Sequence, residues 1–234
     1  MERRQMVYVW EFPVRFFHWQ NALCITTLFC TGLYIGHPVL SPSGEATNVF
    51  VLGWVRYIHF VTAYIFLALW IFRIYWFFAG NRYAKNIFRF WSPGAWRSVG
   101  HHLKGIATAA PEMDGEMPGS DQLARMAHGL FFTASMLMIV TGFAMYGEAN
   151  PTGWAYGLTR WVYRLAGSGR PLVLIHHYAT WFFPIFVLAH LYQVFRTDNL
   201  TRQGLVSSMF TGYYHVPEKV LKSGSKAGKG LAGD

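Results

Sequence analysis

Four long apolar stretches organise this chain of 234 residues. They cover residues 16–36, 57–79, 126–146 and 173–195, each near the roughly 20 residues an α-helix needs to cross a bilayer. The first begins after Pro13 and ends at Gly36-His37-Pro38; the second runs from Tyr57 to Gly80-Asn81; the third ends at Tyr146-Gly147. The outer loops are 38–56, short and turn-rich, and 147–172, rich in glycine and aromatics. In the long inner segment 81–124, Ser92-Pro93 reads as a helix start. After it, Trp96, Val99, Leu103, Ile106 and Ala110 recur at spacings of three and four, with Arg97, His101 and Lys104 between them. That pattern predicts an amphipathic helix in the inner headgroup region. Residues 111–121 form an acidic link, and the tail from 216 is rich in Lys, Gly and Ser, a composition expected to be disordered. The expected fold is therefore all-α: an integral membrane four-helix bundle with an inner amphipathic helix over 1–215 and a cytoplasmic tail over 216–234, with no soluble domain and no internal repeat.

Composition supports a membrane reading. Charged residues make up 13% of the chain and apolar ones 53%, where soluble domains carry about 25% charge. The short basic N-terminus has no cleavable signal pattern: the first apolar run is too long for a signal sequence and no small-residue cleavage site follows it. The net charge of +9 is explained by topology. Fifteen of the 20 Lys and Arg fall in the segments before span one, between spans two and three, and after span four. Only Arg56, Arg160, Arg164 and Arg170 fall in the other loops, and Arg73 lies within span two. The positive-inside rule then places both termini in the cytoplasm of a multi-pass inner-membrane protein. The basic balance points to lipid headgroups and not to nucleic acid. Cys24 and Cys30 form no C-x-x-C-H, so covalent haem attachment is not expected, and both read as small apolar residues.

Ionisable side chains inside a membrane are costly and default to functional candidates. His176 and His190, fourteen residues apart, would lie within about 40° of one helix face and about 21 Å apart along it, whereas His177 points about 100° away from His176. Topology pairs the histidines by depth. His59 and His176 open spans two and four at the outer surface; His18 and His190 lie at the inner one. Two imidazoles per level, from different helices, match bis-histidine haem b ligation, whereas a structural zinc would want four ligands. The plain alternative is a set of hydrogen-bonded histidines at helix ends. His128 competes for the inner level, His177 is a candidate support for a propionate or a partner, His37 reads as interfacial, His101 and His102 as solvated, and His215 lies beyond the spans. Arg73, fourteen residues after His59, falls on nearly the same face at the inner level; it either meets a haem propionate or snorkels to the inner surface. Arg15 and Arg56 flank the inner and outer levels as weaker candidates. Gly32 and Gly142 let a macrocycle or a neighbouring helix come close.

Two motifs add a resemblance. Arg15-Phe16-Phe17-His18-Trp19 followed by Thr31-Gly32, and His176-His177 with Trp181, Phe186 and His190, resemble the two signatures of the b-type cytochrome subunit of membrane-bound nickel–iron hydrogenases. Gly44-Glu45-Ala46, Arg73-Ile74-Tyr75-Trp76, Gly80-Asn81-Arg82, Thr141-Gly142-Phe143-Ala144, and Ser208-Met209 with Gly212-Tyr213 also match, so the resemblance runs over about residues 8–214. Gln20, Cys30, Val173, Leu174, Tyr178 and the segment 90–122 depart from it; no ligand position does. The resemblance implies an outer hydrogenase of large and small subunits that oxidises H₂. Its electrons would pass to an outer haem b (His59 and His176), then to an inner haem b (His18 and His190), then to a quinone. The chain is expected to do no bond chemistry beyond electron transfer and whatever quinone reduction it hosts; the inner ends of spans one and four, near Trp19 and after Arg196, are the candidate pocket. Cytochromes b serving formate dehydrogenase or thiosulfate reductase fit the same four spans, with the two signatures favouring hydrogenase. A haem-free transporter would show spans broken by Gly or Pro, and only Pro184 interrupts one here. A cofactor-free anchor needs no paired histidines.

Overall fold

A computed structural model describes residues 3–38, 50–86, 122–218 and 221. The expected inner amphipathic helix and most of the expected tail lie outside the described residues. The chain divides into two compact units, one of residues 1–16, 75–130 and 188–234, the other of 17–74 and 131–187.

Helix α1 spans Phe12–Gly36, α2 Val51–Ala79, α3 Arg82–Asn86 and α4 Gln122–Glu148. Then follow α5 Trp154–Ala166, α6 Gly169–Thr180, α7 Phe182–Thr201 and α8 Leu205–Thr211. The all-α class holds for the described residues, with one addition: strands β1 Arg4–Tyr8 and β2 Tyr213–Pro217 pair antiparallel, from Arg4 opposite Pro217 to Tyr8 opposite Tyr213. Strand β2 thus continues two residues past the expected boundary at 215.

Among the described residues, three stretches are long and apolar enough to cross a membrane: Val51–Ala79, Leu123–Glu148 and Gly169–Thr201. Helix α1, at 25 residues, is long enough but carries Gln20, Asn21, Thr26, Thr27 and Thr31 among its apolar positions. Pro13 is tolerated because a first-turn N–H has no intrahelical partner in any case. Many large apolar side chains face outward, with Leu23, Phe78, Ile185 and Leu188 each more than 60% exposed, as lipid-facing residues are.

The fourth apolar stretch is not one uninterrupted helix. Helix α6 ends at Thr180 and α7 starts at Phe182, with Trp181 N–H turning back to the Tyr178 carbonyl at 3.2 Å. Pro184 supplies the reason: it has no N–H for the Thr180 carbonyl, and its ring crowds that oxygen. The spacing of fourteen between His176 and His190 therefore crosses this interruption, at which Trp181 itself keeps helical dihedrals (φ −68°, ψ −17°).

In the first unit, Val9, Tyr83, Tyr214 and Val216 form a buried cluster behind the strand pair. Val9 and Trp10 N–H both donate to the Gly212 carbonyl, at 2.9 and 3.1 Å. Gly212 has φ 88°, and a Cβ there would lie 2.6 Å from the Tyr8 ring, so only glycine fits. Asn81 caps α3, its Oδ1 accepting from the N–H groups of Tyr83 and Ala84 at 3.0 and 2.9 Å. Its Nδ2 donates to the Val9 carbonyl at 2.9 Å. Glu11 Oε2 accepts from Trp76 Nε1 and from the Asn81 N–H at 3.1 and 2.9 Å.

In the second unit, Phe17, Cys24, Phe66, Leu69, Trp70, Phe131 and Phe183 make the main buried cluster, with Trp70 edge-on to Phe17 at 5.2 Å. A second cluster joins Ala144, Val162 and Leu172 and seats α5, where the sequence pattern predicts an outer loop. Tyr163 on α5 donates to the Ala144 carbonyl at 3.0 Å and to Glu148 Oε2 at 3.1 Å. Burial, then the Glu148 carboxylate, push its phenol up to about 12.

Candidate functional site

The outer histidines are held by a repeated arrangement. His59, on α2, places Nδ1 2.8 Å from Thr31 Oγ1 on α1. The Thr31 hydroxyl donates its proton to the Thr27 carbonyl at 2.6 Å, so its oxygen can only accept from the ring. His176, on α6, places Nδ1 2.8 Å from Thr141 Oγ1 on α4, and the Thr141 hydroxyl donates to the Leu137 carbonyl at 2.7 Å. Both imidazoles are thereby assigned a proton on Nδ1, which leaves the Nε2 lone pair available as a ligand.

Each threonine is followed by a glycine beside the same ring. A Cβ at Gly32 would stand 3.4 Å from His59 Cε1, and one at Gly142 would stand 3.1 Å from His176 Cε1. Tyr64 on α2 meets Phe143 on α4 edge-on at 5.1 Å. His177 does not join the pair: its ring lies 6.1 Å from that of His37 and faces Gly36, where a Cβ would be 3.1 Å away.

The other expected residues fall as follows. His190, on α7, stands with His128 of α4 in the first unit, ring centroids 6.0 Å apart at 86°. His128 Nδ1 is 2.6 Å from the Ala124 carbonyl of its own helix and so carries the proton. His18 belongs to the second unit, with Trp19 edge-on at 5.1 Å. Arg73 is 3% exposed in that unit. Arg15 donates to the Phe210 carbonyl, a structural contact that the sequence reading did not foresee. Arg56 is exposed on α2.

Among the described residues, no three His, Cys, Asp or Glu side chains converge as a metal-holding group. Paired imidazoles instead suit an iron whose other four ligands come from a porphyrin. The residues fit such a group: both outer rings offer a bare Nε2, and glycines clear the space beside them. In the second unit's interior, Asn21 Oδ1, Trp70 Nε1 and Ser135 Oγ are buried with no hydrogen-bond partner among the described residues, as the rim of a polar prosthetic group would leave them. Thr31 and Thr141 were missed as functional residues because a threonine in an apolar run is explained by its own i−4 carbonyl; the available signal was the Thr-Gly pair occurring in two of the spans.

The chain is similar to known b-type cytochromes. The family model for prokaryotic cytochrome b561 matches residues 9–212. A protein of Cupriavidus necator named a probable Ni/Fe-hydrogenase B-type cytochrome subunit is 41% identical over 212 residues, covering 88% of this chain and 86% of its own. Proteins similarly named from Rhizobium leguminosarum bv. viciae and Escherichia coli K12 are 38% and 34% identical, covering 89% and 88% of this chain and 89% of their own. With the matched region spanning every described helix and both outer histidines, the chain belongs to the prokaryotic cytochrome b561 family.

Proposed function

We propose that the chain is a di-haem b-type cytochrome that carries electrons from a nickel–iron hydrogenase on the outer face of the inner membrane to the quinone pool. Membership of a b-type cytochrome family brings haem b, which when bound supplies a reversible one-electron couple. His59 and His176 hold the outer haem through Nε2. His18 and His190 hold the inner one, as the family's two signatures and the depth of these residues imply. The observation that carries the reading is the twin Thr–His contact, which leaves two imidazoles, each with Nε2 bare. The burial of Arg73 in a span supports a role for it in balancing propionate charge. The names of the relatives supply the hydrogenase partner. Helix α1 is counted as the fourth span, and the distribution of Lys and Arg supports cytoplasmic termini.

His59→Ala and His176→Ala test this in the purified chain and in the complex. Each is expected to lower haem from two to one per chain by pyridine haemochrome. Each should also stop H₂-dependent quinone reduction while leaving H₂ oxidation with an artificial acceptor intact. Two full haems in either variant would refute the assignment.

A further inference from the structure

Threonines that bond their own helix backbone are ordinary in membrane helices, and Thr26 does so here, donating to the Ala22 carbonyl at 3.0 Å. Thr31 and Thr141 make the same bond and then do something more. Each oxygen keeps a lone pair aimed at a histidine on another helix, at the same 2.8 Å, across sequence separations of 28 and 35 residues. Each is followed by a glycine whose missing side chain faces that ring's Cε1. The Thr-Gly step therefore offers an acceptor for Nδ1 and clearance for the next ring atom, so one imidazole edge is seated across two consecutive positions.

We propose that Thr31 and Thr141 are positioning residues that accept the Nδ1–H of His59 and His176, fix the rotation and tautomer of both rings, and so aim both Nε2 atoms at the outer haem iron. This rests on the reading of His59 and His176 as the ligand pair. The outer hydrogen bond of a ligating histidine sets its orientation and its basicity. Here both acceptors are neutral hydroxyls at equal distance, so the two axial ligands are matched in donor strength. Losing either one leaves a buried N–H unpartnered, weakens the ring as a donor and frees it to turn. A weaker donor stabilises ferric iron less, so the haem becomes easier to reduce.

The test uses the full-length chain with Thr31→Val and Thr141→Val, which keep volume and remove the acceptor, and Thr31→Ser and Thr141→Ser, which restore it. Thr26→Val controls for loss of a hydroxyl bonded within its helix. In both valine variants the midpoint potential of the haem that His59→Ala removes should rise, and the largest g value of its ferric EPR signal should shift. Retention of that haem should weaken by about tenfold, the low end of what losing a ligand's outer hydrogen bond costs a metal site. The serine variants and Thr26→Val should match the parent, and the other haem should not change. Valine variants indistinguishable from Thr26→Val would overturn the inference while the ligand assignment stands, provided His59→Ala still loses one haem. A shift as large in the serine variants would also overturn it, since the methyl group and not the oxygen would then matter. If His59→Ala and His176→Ala keep both haems, the ligand assignment itself falls and the inference falls with it.

Discussion

His176 and His128 both carry a proton on Nδ1, and they give it to different kinds of acceptor. His176 donates to a threonine on another helix, as His59 does. His128 donates to the carbonyl of Ala124, four residues back on its own helix. A bond within the helix satisfies the ring but moves with it; turning α4 about its axis would carry His128 and Ala124 together. A bond between helices fixes the rotation of one helix against the other as well as the ring. A ligand must present one nitrogen in one direction, and a partner on another helix adds a restraint that a carbonyl of its own helix does not. The proposed reading of His59 and His176 as ligands, and of His128 as none, uses this contrast.

The largest expected effect tests that reading directly. His176→Ala should remove one haem of two, and His190→Ala the other, whereas His128→Ala should keep both, read by haem quantification on purified chain. Loss of a haem in His128→Ala would make His128 a ligand despite its hold on Ala124, and the contrast between the two kinds of acceptor would lose its meaning.

A smaller effect is expected from the polar anchors of the first unit. Asn81 joins the α3 cap to the backbone before α1 through three hydrogen bonds. Asn81→Ala should lower thermal stability by about 1 kcal/mol, the usual cost of losing an N-cap, and leave the spectrum and potential of the outer haem as they were. A changed potential would mean that the outer level depends on more than the cross-helix contacts within its own unit.

Much of this was legible in the sequence because membrane burial is written in long apolar runs. Three of the four expected runs, 16–36, 57–79 and 126–146, fall inside single helices, and the ligand candidates followed from depth. What escaped depends mostly on neighbours distant in the chain. Strands β1 and β2 are five residues each and about 200 residues apart, so neither could be paired from local pattern. Helix α5 buries Ala155, Thr159 and Val162 while exposing Trp154, Leu158, Trp161 and Leu165; the spacing of those four is helical and was legible, but the glycines around it read as loop. Pro184 was visible, but not that the hydrogen-bond ladder would be interrupted at Trp181. Thr31 and Thr141 looked complete without a histidine, because half of their bonding is local.

The smallest effect probes the two halves of the outer level against each other. Gly32 and Gly142 stand in equivalent places, yet the clearances differ: a Cβ at Gly142 would sit 3.1 Å from its histidine ring, one at Gly32 3.4 Å. The second distance is ordinary van der Waals contact, so Gly32→Ala should seat without moving His59, and it removes a helix-interior glycine that costs about 1 kcal/mol relative to alanine. Gly142→Ala must displace His176 by a few tenths of an ångström, and that displacement pulls against the 2.8 Å bond to Thr141. The outer haem of Gly142→Ala should therefore show a shift in potential in the same direction as Thr141→Val and smaller than it, while Gly32→Ala stays at the parent value with a stability at or above it. Equal shifts in both alanine variants would mean that each glycine faces something bulkier than an imidazole edge, and clearance for the ring would no longer be the reason a glycine follows each threonine.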